Sequence, residues 1–245
     1  VGRRLGQHFL ARKSILDRIA EAACGEHTSL VIEIGPGKGA LTESLLERAD
    51  KVIAIEVDPH LVHYLRQKFR DQTKLEIIEG DVLKTNLPGG VIAGNLPYYI
   101  TSPILDKVFA LGDQWSRAVF LVQSEVAARL AAEPGSRDFG YLSVLTQVHA
   151  QPEILFQVPR DAFRPPPKVE SAVVRLERRV HPEVPDPHSF LKFASMCFRH
   201  KRKNLRNNLL PVYDVDGEQG RLRAEQMSIA DLAELHTRLR PNVVE

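Results

Sequence analysis

Asn95-Leu96-Pro97-Tyr98 is the stretch of this sequence best equipped for chemistry. A carboxamide oxygen accepts a hydrogen bond from an amino group. Proline fixes the backbone beside it, so neighbouring carbonyls are held as further acceptors. An aromatic ring stacks on a flat heterocycle. The motif directly follows an apolar run, Val91-Ile92-Ala93-Gly94, which reads as a buried strand. These four residues therefore stand at the mouth of a sheet. They could hold the amino group of a purine or pyrimidine and prepare it for reaction.

The apolar pattern supplies a frame for them. A helix is predicted from Ser14, with Ser14 and Asp17 as a capping pair and Ile15, Leu16, Ile19 and Ala23 on one face. Strands are predicted at 30–34, 52–55, 75–78, 91–94 and 118–122, and helices at 40–48, 61–69 and 104–110. Strands alternating with helices mean crossover units and an α/β fold with a mostly parallel sheet. In such sheets ligands bind beyond the carboxyl ends of the strands. Gly35, Glu56, Asp81 and Asn95 all fall at such ends. Further on, 142–148 and 169–176 read as strands, with a stiff extended loop at Phe163-Arg164-Pro165-Pro166-Pro167-Lys168. The proline-rich stretch 181–187 reads as a linker. Beyond it the pattern is helical, with Phe190, Phe193, Ala194, Cys197 and Phe198 in one stripe. Ser228 and Asp231 cap a last helix carrying Ile229, Leu232 and Leu235. The expected domains are 1–180, catalytic, and 188–245, helical, joined by the linker 181–187.

Glu33-Ile34-Gly35-Pro36-Gly37-Lys38-Gly39 places three glycines at alternate positions after a strand. Such a turn is either structural or lets the backbone approach a ligand. The dinucleotide fingerprint is spaced Gly-x-Gly-x-x-Gly. Here the third glycine comes one residue early, and Pro36 lacks an N–H that a pyrophosphate would use. The spacing better suits a cofactor without phosphates. Glu56 is placed to accept both ribose hydroxyls of a nucleoside, and Asp81 to reach an adenine amino group. Each acid alone could be a solvated loop residue; their order on successive strand ends argues against that. A phosphate-free nucleoside beside a glycine loop points to S-adenosyl-L-methionine and to methyl transfer.

Composition narrows the class. A chain of 245 residues can bury a full core and form one large domain plus a small one. A quarter of it is charged and no apolar run reaches membrane-spanning length, so a soluble protein with no membrane partner is expected. Cys24 and Cys197 are isolated and the histidines do not cluster, so neither a disulfide framework nor a metal site is expected. The start, Val1-Gly2-Arg3-Arg4, has no apolar leader, and a cytoplasmic location fits. The net charge of +2 says little, but its distribution says more. Residues 187–213 hold no carboxylate, yet they carry Lys192, Arg199, Lys201, Arg202, Lys203 and Arg206. Arg3, Arg4, Arg12 and Lys13 precede the first acid, Asp17. One such run could be a solvated helix face; two favour a nucleic-acid partner.

Several motifs then form a set: Gln7-His8-Phe9-Leu10; residues 33–39 followed by Ala40-Leu41-Thr42; 95–98; Phe163 with Pro165 and Pro167-Lys168-Val169; and Ser171-Ala172-Val173-Val174-Arg175-Leu176. With the basic segment 198–209, the set resembles the ribosomal RNA adenine dimethyltransferases, in particular their small-subunit branch, over nearly the whole chain. The resemblance implies a Rossmann-like S-adenosylmethionine-dependent methyltransferase domain with a small C-terminal helical domain. It implies a cofactor site lined by Gln7, His8, Leu10, Gly35, Gly37, Glu56, Asp81 and Asn95. The family often has Asn at the position of His8 and Asp at that of Glu56; both replacements keep the hydrogen-bonding capacity. The start of the chain lies close to the first motif, so further residues are expected to precede it.

The implied targets are two adjacent adenines of small-subunit rRNA within a pre-ribosomal 30S-type particle, met by a monomer. The Asn95 oxygen and the Leu96 carbonyl would accept the two amino hydrogens, with Pro97 locking the backbone. Tyr98 and Phe163 would clamp the base, each stack contributing roughly 1–3 kcal/mol. A basic helix presenting Arg199, Lys201, Arg202, Lys203 and Arg206 would meet RNA phosphates. Two rivals stand beside this reading: a large-subunit rRNA adenine methyltransferase of the macrolide-resistance type, which shares the cofactor and Asn-Leu-Pro-Tyr motifs but lacks the basic pattern, and a non-catalytic assembly factor on the same fold.

Overall fold

Seven strands form the main sheet of the computed structural model, which describes residues 8–97, 100–180, 184–210, 212, 213, 215 and 217–239. The chain divides into two compact units. The first comprises Val1–Ala127 and Pro152–Arg178; the second comprises Ala128–Gln151 and Arg179–Glu245.

In the first unit the elements run β1 (Phe9–Leu10), α1 (Lys13–Cys24), β2 (Thr28–Ile34), α2 (Ala40–Leu46), β3 (Ala49–Glu56), α3 (Pro59–Lys68), β4 (Leu75–Glu79), β5 (Gly90–Asn95), α4 (Thr101–Phe109) and β6 (Trp115–Gln123). Helices α5 (Ser124–Leu130) and α6 (Tyr141–His149) lead to β7 (Ala150–Val158), β8 (Phe163–Arg164) and β9 (Ser171–Arg178). The sheet order is β4-β3-β2-β5-β6-β9-β7. Strands β4 through β6 are parallel neighbours, and β9 joins β6 antiparallel. The predicted strands and helices up to β6 are all present in the predicted order, with β4 passing to β5 without a helix between them. Central strands covered on both faces need continuous apolar runs. Val31, Ile32, Val52, Ala54, Ile92 and Ala93 meet that need, all buried.

The register is what positions the site. Ile34 of β2 pairs with Ile55 of β3 on one side and with Gly94 of β5 on the other. Glu56 pairs with Glu79 of β4. Gly35, Glu56, Asn95 and, just past β4, Asp81 therefore share one edge. Their order across it follows the strands: Asp81, Glu56, Gly35, Asn95.

Local signals explain several helix starts. Pro59 opens α3, and the Asp58 carboxylate before it accepts from the His60 N–H at 2.9 Å. The predicted cap at Ser14 differs from the structure. Helix α1 begins at Lys13 with no side-chain cap, so Ser14 lies inside it. Asp17 instead accepts from Lys13 Nζ at 2.9 Å and from Ser44 Oγ at 2.8 Å, tying α1 to α2.

In the second unit, α6 stands where the sequence predicts a strand at 142–148. Val144, Leu145 and Val148 make the run look extended, but Ser143, Val144, Leu145, Thr146 and Val148 are all buried, so no polar face marks a helical period. Ser143 fixes the start, its Oγ accepting from Gly140 N–H at 3.0 Å and donating to the Arg129 carbonyl at 2.6 Å. Phe139, Val144 and Val148 share a core with Phe190, Phe193, Ala194 and Cys197 of α7 (Pro187–Cys197). Residues 128–151, placed by the sequence in the catalytic domain, thus group with the C-terminal helices. Of the expected linker, 181–183 lie outside the described residues, Val184 is buried in this core, and Pro187 already begins α7. Helices α8 (Leu205–Leu209), α9 (Glu218–Arg221) and α10 (Ile229–Arg238) complete the unit. The Ser228–Asp231 cap is formed as predicted, with Asp231 N–H donating to Ser228 Oγ at 3.0 Å and Ser228 N–H to Asp231 Oδ2 at 3.1 Å. Among the described residues no helix is long and apolar enough to cross a membrane.

Gly94 marks the tightest approach in the sheet. A Cβ there would lie 2.5 Å from the Ile34 carbonyl oxygen, a backbone atom held in the ladder. Gly94→Ala is expected to destabilise the protein by about 1–3 kcal/mol, as overpacking does, measured by urea denaturation. An unchanged midpoint would show that β2 and β5 are not held at this spacing.

Candidate active site

A cavity of about 560 Å³ opens along the carboxyl edge of the first unit's sheet. His8, Leu10, Gly35, Gly37, Glu56, Asp81, Asn95, Leu96 and Pro97 all line it, so residues predicted from five separate segments meet in one place. Gln7 and Tyr98 lie outside the described residues.

Asn95 is half-buried at the end of β5. Its Nδ2 donates to the His8 carbonyl at 3.1 Å. A carbonyl can only accept, so this bond settles which end of the carboxamide is nitrogen. Oδ1 is left as an acceptor, with no partner among the described residues. Leu96 donates its N–H to the Leu121 carbonyl at 3.0 Å, which carries the β5–β6 pairing one residue further. That bond fixes the peptide from which the Leu96 carbonyl projects. Pro97 ends the run, and its carbonyl accepts from the Ile100 N–H at 3.1 Å as α4 begins.

The Glu56 carboxylate is buried and gripped by backbone. Oε2 accepts from Gly37 N–H at 3.1 Å, and Oε1 from Val57 and Asp58 N–H at 2.9 and 3.0 Å. The grip depends on Gly37, whose φ of +59° is a conformation that side chains rarely adopt. A Cβ on Gly37 would also come within 2.9 Å of the Phe9 ring. Asp81 Oδ1 accepts from Leu83 N–H at 3.0 Å, leaving Oδ2 as a free acceptor among the described residues.

Strand β1 closes one side of the cavity by pairing antiparallel with β8, Leu10 opposite Phe163 and Phe9 opposite Arg164. The His8 ring adds a bond from Nδ1–H to the Pro165 carbonyl at 2.9 Å. Here the structure corrects a prediction. Phe163 is fully buried, in the core with Leu10, Ile15, Val158 and Val173, and it does not line the cavity. In a two-residue strand one side chain points in and the next out. Phe163 takes the inward place, so its ring anchors the β1–β8 pair and has no face free to stack on a base.

The second unit carries the basic segment, also in a different form from that predicted. Helix α7 ends at Cys197, residues 198–204 form a turn, and α8 begins only at Leu205. Asn204 breaks the expected helix because it caps α8, its Oδ1 accepting from Asn207 N–H at 3.0 Å. Arg199, Lys201, Arg202 and Lys203 are exposed on the turn, and Arg206 on α8.

Glu33 was not among the predicted site residues, although an acid inside the apolar run 30–34 was a signal. It lines the cavity, is 1% exposed, and accepts from Thr42 Oγ1 at 2.6 Å. Burial, reinforced by the nearby Glu56, pushes its carboxyl up to about 7 against the partial opposition of the Thr42 bond. A raised carboxyl favours the folded state most when protonated. That stability is fully present below about pH 4.5 and is lost as pH rises through about 7. Between pH 5 and 8 the protein should lose stability on the order of 3 kcal/mol from this group. Melting curves of Glu33→Gln should flatten that slope; parallel slopes for both proteins would refute the assignment.

Comparison with known proteins agrees with this geometry. The family model described as "Ribosomal RNA adenine dimethylase" matches residues 2–238. A protein of Acidobacterium capsulatum named "Ribosomal RNA small subunit methyltransferase A" is 43% identical over 251 residues, covering 95% of this chain and 89% of its own. A dimethyladenosine transferase from Plasmodium falciparum superposes with a TM-score of 0.80 at 26% identity, over 93% of this chain and 96% of that one. The 23S rRNA methyltransferase ErmE superposes at 0.73 and 29% identity, over 94% and 100%. The sheet, the cavity and these likenesses converge: the chain belongs to the ribosomal RNA adenine dimethylase family.

Proposed function

We propose that this protein transfers methyl groups from S-adenosyl-L-methionine to the amino groups of two adjacent adenines near the 3′ end of small-subunit rRNA. The observation that carries the reading is Asn95, whose carboxamide nitrogen is tied to His8 so that its oxygen is presented at the cavity. The small-subunit target is supported by the 43% identity to a protein of that name.

The cavity's charges fit this cofactor better than a phosphate-bearing one. Among the described residues, Glu33, Glu56 and Asp81 line it against a single lysine, Lys38, whose Nζ sits over the Phe9 ring at 5.2 Å. Even with Glu33 only partly ionised near neutral pH, the carboxylates outweigh the one cation, which suits a positively charged ligand with hydroxyls to donate. When bound, the cofactor supplies an electrophilic methyl group on a sulfonium. Glu56, fixed by its backbone N–H donors, turns its remaining lone pairs to the ribose hydroxyls. Asp81 Oδ2 accepts from the adenine amino group of the cofactor. Gly35 and Gly37 let the chain pass close to the methionine part.

At the other end of the strand row stands the target. An adenine amino nitrogen is a poor nucleophile because its lone pair is delocalised into the ring. Asn95 Oδ1 and the Leu96 carbonyl would accept its two hydrogens, which would favour a pyramidal nitrogen with its lone pair localised for methyl transfer. Alignment by these two fixed acceptors is the main catalytic contribution. Tyr98 supplies the stacking face, offsetting part of the few kcal/mol needed to extract the base. The ammonium product is acidic and loses its proton without a dedicated base. On the second unit, Arg199, Lys201, Arg202, Lys203 and Arg206 take the rRNA phosphates of the pre-ribosomal particle.

A second reading, methylation of large-subunit rRNA, is supported by the likeness to ErmE. Mass spectrometry of rRNA after incubation with protein and cofactor separates the two by the nucleotide that gains mass. Asn95→Ala should keep cofactor affinity within a few-fold and reduce methylation by at least about a hundredfold, the scale seen when one preorganised polar group is removed. Near-normal turnover would eliminate the proposed role. Replacing Lys201, Arg202 and Lys203 together by Ala should weaken rRNA binding and lower its salt dependence, with cofactor binding unaffected. Binding with the wild-type salt slope would remove the turn from the interface.

A further inference from the structure

Asn208 is a polar side chain 6% exposed in the second unit, and among the described residues every bond its carboxamide makes goes to the basic turn or to the helix end before it. Its Oδ1 accepts from the His200 N–H at 3.2 Å. Its Nδ2 donates to the carbonyls of Cys197, His200 and Lys203 at 2.8, 3.2 and 3.3 Å. Two hydrogens are thus shared among three acceptors. Cys197 is the last residue of α7, where helix carbonyls lack partners along the helix. His200 and Lys203 belong to the turn. One carboxamide therefore draws inward the carbonyls at both ends and the middle of 197–203.

This matters for an anion-binding surface. Carbonyl oxygens carry partial negative charge, and a helix C-terminus concentrates it. Turned outward, these carbonyls would repel a phosphate approaching between the basic side chains. Bonded to a buried amide, they face away from it. Arg199, Lys201, Arg202 and Lys203 are then left exposed on the same turn. Lys201 Nζ also donates to the Arg137 carbonyl at 2.7 Å, which fixes the turn against the segment 128–151 of its own unit.

We propose that Asn208 is the positioning residue of a phosphate-binding turn, holding the backbone of 197–203 so that four cations meet the RNA as one preformed surface. The inference rests on the reading of this turn as the rRNA-phosphate contact. It adds that the cations act through a shape set by one side chain and not through their charge alone. A preordered surface gives up less conformational freedom on binding than a loose one.

The test is a double-mutant cycle: wild type, Asn208→Ala, the Lys201, Arg202 and Lys203 triple alanine variant, and all four changes together. Each is titrated with small-subunit rRNA at several salt concentrations, and with S-adenosyl-L-methionine as a control on the first unit. Asn208→Ala should weaken rRNA binding about tenfold, a cost suited to unpairing buried polar groups, and should reduce the salt slope. In the triple-variant background the same change should cost less than about twofold. Cofactor affinity should be equal in all four proteins. If melting shows that Asn208→Ala unfolds the second unit, Asn208→Ser, which keeps a donor and an acceptor, takes its place in the cycle. An equal loss in both backgrounds, or no loss in either, overturns the positioning role while leaving the phosphate contact standing. A triple variant that binds like wild type overturns the phosphate contact, and the positioning role with it.

Discussion

The level register of three parallel strands is the constraint on which the site depends. Ile34 sits opposite Ile55 and Gly94 at once, so β2, β3 and β5 reach the carboxyl edge together. The ladder continues past the strand ends, with Gly35 N–H donating to the Ile55 carbonyl at 3.0 Å and Gly80 N–H to the Glu56 carbonyl at 2.9 Å. These bonds hold the glycine loop and the Asp81 loop as extensions of the sheet. A slip of one residue would turn every side chain of a strand to the opposite face, replacing Glu56 at the cavity by an apolar neighbour. Ligand geometry is thus inherited from backbone pairing, and the absence of a side chain at Gly94 is part of it.

Burial of acids at this edge is managed in two ways. Glu56 is nearly enclosed but surrounded by N–H donors from Gly37, Val57 and Asp58. Glu33, deeper still, has the Thr42 hydroxyl. A buried carboxylate needs donors to offset lost hydration, and the shortfall at Glu33 is what raises its carboxyl. The two acids lie on adjacent strands, so a cation entering the cavity meets both. A floor of acids that suits a positively charged ligand is costly when nothing is bound. That is the usual bargain of a binding site, where local stability is given up for preorganisation.

Much of this frame was legible in the sequence because the first unit obeys simple rules. Apolar runs mark the strands, their alternation with helices implies a mostly parallel sheet, and side chains at strand ends converge as such folds require. What the sequence does not reveal has physical reasons. Helix α6 is buried on most of its faces, so its period was hidden and its β-branched residues suggested a strand. Phe163 looked available because it sits in a proline-rich loop, yet its pairing with Leu10 turns the ring into the core. The basic segment looked like one helix because its charges are evenly spread; Asn204, a cap residue in plain view, divides it. The grouping of 128–151 with the C-terminal helices depends on contacts distant in sequence, which no local pattern records.

Two carboxamides show how one group serves structure or chemistry according to what is left unpaired. Asn208 uses both ends, its oxygen on one N–H and its nitrogen on three carbonyls, and is consumed in shaping a turn. Among the described residues Asn95 uses its nitrogen alone, on the His8 carbonyl, and keeps its oxygen. The bond to His8 is therefore as important to the proposed reaction as the oxygen it leaves behind. Without it the carboxamide could rotate and present a donor where an acceptor is required. It also makes strand β1, and through β8 the buried Phe163, part of what orients the reacting group. The fold is shared with ErmE at a TM-score of 0.73, so this arrangement alone does not choose between RNA targets. Under the proposed function, target choice would rest on surfaces outside the cavity, such as the basic turn that Asn208 is proposed to hold.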